Sequence, residues 1–164
     1  MAKRILLVED EPNIIEAIRF ILSRDGWHVS THSDGRTAVA EIARLAPDVV
    51  VLDVMLPGRS GFDILRELRA APQTRDLPVL MLTAKGQGRD REEAERYGVT
   101  RFMTKPFANS EVLGAVNEMM AAMPPAAGGD HAARDGECDG QGDGQGDGAM
   151  ARAAAGRSGG PAGE

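Results

Sequence analysis

"VVVLDVMLPGRSG", residues 49–61, sets four apolar residues in a row, ends them on Asp53 and follows with a Pro-Gly break at 57–58. A short run of β-branched and large apolar residues bounded by a turn signal reads as a β-strand. The run is continuously apolar rather than alternating. That pattern belongs to a strand covered on both faces, as in a parallel sheet. A strand suited to burial nonetheless closes on a carboxylate.

Similar runs recur along the chain: "RILLV" (4–8), "WHVSTH" (27–32), "LPVLMLT" (77–83) and "RFMTK" (101–105). Helical spacing fills the intervals. Ile14, Ile18, Ile21 and Leu22 share one face of the stretch 12–26, with Pro12 suited to its first turn and Gly26 to its stop. Ala38, Ile42 and Leu45 line up before Pro47. Ile64, Leu65 and Leu68 do so in 60–72. Ala94 and Tyr97 give the polar stretch 89–98 a thin apolar side. Val112, Leu113, Val116, Met119 and Met120 share a face in 110–124, with Ser110 as the expected cap. Five strands alternating with five helices predict a doubly wound α/β domain with right-handed crossovers.

In a parallel sheet every strand delivers its C-terminal end to one edge, where ligands bind. The first strand ends at Glu9 and Asp10, the third at Asp53, the fourth at Thr83 and the fifth at Lys105. The second, ending in "THSDG", carries less distinct chemistry and suits an edge strand. Asp53 is therefore one member of a set. Three carboxylates brought together repel unless protonated, paired or bridged by a cation. Oxygen donors without His or Cys favour a hard cation, and Mg²⁺ suits a site of carboxylates, water and phosphate. Lys105 supplies a compact positive charge and Thr83 a hydroxyl donor. Together they describe a phosphoryl-transfer site with Asp53, on a central strand, as the nucleophile.

Composition changes after Met123. From 124 to 164 there is no Val, Ile, Leu, Phe, Trp or Tyr, and 12 of 41 residues are Gly. Such a segment buries too little apolar surface to offset its ordering entropy, so residues 1–123 are expected to form the domain and 124–164 a disordered Gly/Asp/Ala-rich tail. Residues 1–123 carry 16 Lys and Arg against 18 Asp and Glu, a net of −2, and the tail carries 3 against 7, a net of −4. This balance argues against binding nucleic acid or an anionic membrane through bulk charge. Cys138 is the single cysteine, so an internal disulfide and a thiolate metal site are excluded. His28, His32 and His131 lack metal-ligand spacing. The tail motif "DGQGDGQGDG" lacks the spacing and terminal Glu of a calcium loop. Without a signal-peptide core or a membrane-length apolar run, a cytoplasmic protein is expected.

"LLVEDEP", "VVVLDVMLPGRSGFD", "VLMLTAKG" and "RFMTKPF" resemble, in order and spacing, the four characteristic segments of the receiver domain of two-component response regulators. The resemblance spans residues 3–122. It implies a flavodoxin-like sheet of strand order 2-1-3-4-5, with Asp53 as phosphoacceptor from a sensor histidine kinase or a histidine phosphotransfer protein. It further implies Mg²⁺ held by Glu9, Asp10, Asp53 and the Met55 carbonyl, with Thr83 and Lys105 on the phosphoryl group. Phe102 takes the family's aromatic switch position, and Lys105-Pro106 resembles its cis turn. Phosphorylation would then draw Thr83 toward the phosphate and Phe102 inward. That change repacks the face of helix 4, strand 5 and helix 5 for an output protein or a second copy in a homodimer. Apart from self-phosphorylation and autodephosphorylation at Asp53, the resemblance implies no enzymatic activity.

Some positions depart from the family pattern. Arg59-Ser60 replaces the more usual Met-Asp or Met-Asn and adds a positive charge. Gly86 and Gly88 loosen the start of helix 4, and Met55 and Lys85 occupy positions that tune phosphate lifetime. A haloacid-dehalogenase-type phosphatase is the remote alternative, but its nucleophile follows the first strand and it needs a cap insertion. A nucleotide or flavin binder needs a phosphate loop where this chain has "EDEP". After Met123 neither a helix-turn-helix pattern nor an enzymatic module is visible. A stand-alone receiver without direct DNA or membrane contact is therefore expected, acting through protein contact or as a relay or phosphate-sink component.

Overall fold

Strand β1 (Arg4–Val8) leads into helix α1 (Pro12–Arg24), and the same strand-helix alternation then repeats to the end of the domain. The chain continues through β2 (His28–His32), α2 (Ala38–Leu45), β3 (Val49–Asp53), α3 (Gly61–Ala70), β4 (Val79–Thr83), α4 (Gly88–Arg96), β5 (Arg101–Thr104) and α5 (Asn109–Ala122). This computed structural model describes residues 2–84 and 88–123; the expected tail at 124–164, Lys85 and Gly86 lie outside the described residues. All strand pairs are parallel, in the order β2-β1-β3-β4-β5.

The sheet explains the unbroken apolar runs. Side chains alternate between the two faces of a strand, so a strand covered on both sides needs apolar residues at every position. Ile5 and Leu7 of β1 and Val49 and Val51 of β3 face one core with Ile18 and Leu22 of α1 and Val112, Val116 and Met119 of α5. Leu6, Val8, Val50 and Leu52 face the other, with Ala38 and Ile42 of α2, Ile64, Leu65 and Leu68 of α3, and Ala94 of α4. Each fully buried Val, Leu or Ile contributes about 1.5–3 kcal/mol. The crossovers therefore follow from the helical stripes seen in the sequence.

Local signals act where expected, with a few shifts. Pro12 opens α1, and Gly26 at φ +89° takes the left-handed conformation just past its end. Trp27 belongs to the core ahead of β2 rather than to the strand, and its backbone N–H donates to the Leu22 carbonyl (3.0 Å). Ser110 is not the cap of α5. That helix begins at Asn109, and the Glu111 carboxylate accepts from the Ala108 N–H (2.6 Å). The side chain three residues into a helix can reach back to the flanking amide, which a search for Ser at the boundary overlooks. Strand β5 stops at Thr104, one residue before Lys105, and the Lys105–Pro106 peptide is cis.

Candidate functional site

The sheet gathers its polar strand ends at one edge, and the ladder extends just past them. The Glu9 N–H donates to the His32 carbonyl (3.0 Å), and the Lys105 N–H to the Thr83 carbonyl (2.6 Å). These bonds fix where Glu9 and Lys105 leave the sheet. Asp53 pairs in register with Leu82, so Thr83 lies one residue further along the neighbouring strand.

Lys105 is the hub. Its ammonium is 2.9 Å from Glu9 Oε2, 3.2 Å from Glu11 Oε1 and 3.4 Å from Asp53 Oδ2. Burial favours its neutral amine, but the Glu9, Asp53 and Glu11 carboxylates outweigh that and hold its pKa above the ordinary value. Glu9 is fully buried, and its Oε1 accepts from the N–H groups of Asp10 (3.1 Å) and Glu11 (3.2 Å). Its Oε2 makes no well-aligned hydrogen bond and is left to the ammonium as an ion pair. Asp53 is 2% exposed. Burial, and then the Glu9 charge, push its carboxyl up to about 7, against the opposing pull of Lys105 and of the Met55 N–H. That N–H donates to Oδ1 at 3.3 Å.

Glu9, Asp10 and Asp53 each offer a carboxylate oxygen within 4.8 Å of the others. These three acids form a concentrated, oxygen-only donor set, two of them ion-paired to Lys105, and one buried carboxylate oxygen, Glu9 Oε2, is short of hydrogen bonds. This donor set fits a hard divalent cation such as Mg²⁺. Asp10 is exposed, so the set opens to solvent on its side.

The loop after Asp53 is held tightly. A Cβ at Gly61 would lie 2.3 Å from the Asp53 carbonyl oxygen and 2.9 Å from Val54 Cα. Only glycine lets the start of α3 approach the end of β3 this closely. Its N–H donates to the Val54 carbonyl (2.9 Å). Ser60 caps α3 by accepting from the Phe62 N–H (3.2 Å). The positive charge expected from Arg59 is spent on Glu67, 2.5 Å away, and is not left to the site. Met55 projects outward, 71% exposed.

Thr83 is buried, and its hydroxyl donates to Asp90 Oδ2 of α4 at 3.2 Å. Phe102 pairs in register with Met81 and packs, half-buried, against the core that includes Ala94. It also lines a cavity of about 340 Å³ with Arg91, Glu95 and Val99. The aromatic thus lies between core and open space. Sequence reasoning missed Glu11, Asp90 and Gly61. The "EDE" run hinted at the first, since the third acid flanks the same strand end. The other two required knowledge of which loop touches which.

The chain matches the response regulator receiver domain over residues 5–117. It belongs to that family. Among relatives of this receiver, the phosphate regulon transcriptional regulatory protein PhoB of Escherichia coli is 39% identical over 127 residues, covering 77% of this chain and 56% of PhoB. The chain spans about half the length of the curated relatives it matches. Among solved structures, the receiver is similar to chemotaxis response regulator CheY4 of Vibrio cholerae (TM-score 0.68, 28% identity, covering 73% of this chain and 99% of that one). It is also similar to the receiver domain of sensor histidine kinase PA1611 from Pseudomonas aeruginosa (TM-score 0.68, 31% identity, covering 74% of this chain and 100% of that one). The PA1611 receiver structure has a magnesium ion coordinated in its active-site cleft. Receivers are phosphoryl acceptors served by histidine kinases in two-component signalling. Among the described residues, no helix is long and apolar enough to cross a membrane.

Proposed function

We propose that Asp53 is the phosphoacceptor of this receiver. The carrying observation is a nearly buried carboxylate with an ammonium 3.4 Å away and two further acids converging on it. An Asp53 carboxylate oxygen attacks phosphorus of a phosphohistidine. The new P–O bond replaces the P–N bond, and the departing imidazole takes a proton from solvent. Glu9, Asp10, Asp53 and the Met55 carbonyl would hold Mg²⁺, which when bound offsets the negative charge gathered by carboxylates and phosphoryl oxygens. Lys105, already beside Asp53, pairs with a phosphoryl oxygen, and the Thr83 hydroxyl donates to another. Small phosphodonors serve for self-phosphorylation, and water attack at phosphorus breaks the Asp53 O–P bond, releasing inorganic phosphate and returning the Asp53 carboxylate.

Phe102, beside open space at the α4–β5 junction, is the proposed switch residue, and the α4–β5–α5 face carries the output to a protein partner or a second copy of the chain. Arg91, Glu95, Arg101 and Glu118 place both charge signs on that face. The test is intact mass after acetyl phosphate treatment with and without Mg²⁺, alongside Asp53→Asn. A Mg²⁺-dependent phosphoryl adduct that the variant lacks supports the reading. A folded protein that takes no phosphoryl group overturns it.

A further inference from the structure

Helix α4 has little to hold it down. Seven of its nine residues are charged, and Ala94 is its one buried residue. A surface this polar gives almost no hydrophobic anchorage, so a single directional bond carries unusual weight in placing the helix. Such a bond exists at its first turn, where the buried Thr83 hydroxyl donates to Asp90 Oδ2 at 3.2 Å. It joins α4 to the end of β4, next to the strand that carries Asp53. A bond to a carboxylate is charge-assisted and stronger than a neutral one.

A threonine hydroxyl has a single proton to donate. Donated to Asp90, that proton is not available to a phosphoryl oxygen on Asp53. We infer that Asp90 is a positioning residue, competing with the phosphoryl group for the Thr83 proton. It holds Thr83 and the first turn of α4 in the unphosphorylated arrangement. Phosphorylation takes the proton, Asp90 loses its partner, and the start of α4 is released. Asp90 and the phosphoryl group, as rival acceptors for the Thr83 hydroxyl, form a two-state element that the covalent ligand biases. The inference rests on the phosphoacceptor reading of Asp53.

The test uses beryllofluoride with Mg²⁺, which coordinates a carboxylate oxygen in the tetrahedral shape of a phosphoryl group. Its affinity is measured by calorimetry for the full chain, with Asp53→Asn as the control for site. Asp90→Ala is expected to bind at least about tenfold more tightly than wild type, the size expected from removing a charge-assisted competitor. Asp90→Asn, which keeps the shape and a weaker acceptor, falls between. In a Thr83→Val background the Asp90→Ala change has no further effect, a dependence that a purely structural role for Asp90 would not show. Amide exchange in the first turn of α4 quickens with beryllofluoride in wild type and is already fast in Asp90→Ala without it. Wild-type binding with unchanged or weaker binding by both Asp90 variants overturns this inference alone. Absence of Asp53-dependent binding in wild type overturns the phosphoacceptor reading and this inference with it.

Discussion

Lys105 Nζ stands 3.4 Å from Asp53 Oδ2, closer still to Glu9, and 11% of its side chain is exposed. One ammonium thus serves two buried carboxylates from neighbouring strands, and the electrostatic behaviour of the site follows from that shortage of positive charge.

The first consequence is a pH dependence. Asp53 has its carboxyl pushed to about 7 from an ordinary 3.8, by burial first and the Glu9 charge second. Between those values the folded protein holds a proton that the unfolded chain has lost, so metal-free stability from this group is complete below about 4 and falls away as pH rises through about 7. A cation favours the ionised form. Mg²⁺ should therefore raise Tm by several degrees more at pH 8 than at pH 5.5. Asp53→Asn should raise Tm in metal-free buffer at pH 8 and flatten the pH profile. Thermal melts at the two pH values, with EDTA or Mg²⁺, check both.

Replacing Lys105 by Met keeps much of the stem and removes the charge. Glu9 and Asp53 are then left buried without their counter-charge, a situation that costs about 3–5 kcal/mol. The loss is expected to be largest at pH 8 and smaller at pH 6, where Asp53 takes up a proton. Urea unfolding at the two pH values measures it. Acetyl phosphate labelling of the same variant should slow by at least about tenfold, as a charge at the phosphoryl oxygens is lost.

Gly61→Ala sets a methyl group 2.3 Å from the Asp53 carbonyl oxygen. Backbone on both sides must yield, so a destabilisation of about 1–3 kcal/mol is expected. Because the displaced backbone is that of Asp53 itself, phosphoryl uptake should fall as well. A folded variant with wild-type stability and labelling would show that the loop has room to move.

Arg69 makes a purely structural prediction at the opposite edge. Its guanidinium donates to the carbonyls of Gly98 (2.8 Å), Leu77 (2.8 Å) and Thr74 (3.2 Å), tying α3 to two loops. Burial lowers its pKa, with Asp76 acting against that. Arg69→Ala strands three carbonyls and should cost about 2–3 kcal/mol in urea unfolding. Labelling of Asp53 should remain at the wild-type level, since this edge lies away from the carboxylates.

Much of this protein is legible without coordinates. Continuous apolar runs such as 49–52 specify doubly covered strands, and the stripes Ile18/Leu22 and Ile64/Leu65/Leu68 specify which helix faces meet them. These are local periodicities, and local periodicity is what a sequence displays. Parallel strands then send Glu9, Asp10, Asp53, Thr83 and Lys105 to one edge as a matter of topology.

The tertiary structure decided how those residues divide the work. Two adjacent acids look alike in the sequence, yet Glu9 is fully buried and bound to Lys105 while Asp10 faces solvent. Glu11 joins the lysine, Arg59 turns to Glu67, and the Thr83 hydroxyl goes to Asp90. Each outcome depends on distances of a few ångströms between segments far apart in the chain. Those distances are set by how helices seat on the sheet, and side-chain charge and hydrogen bonding respond to them steeply. The strand ends could be read one by one; their partners became defined only when the loops closed around them.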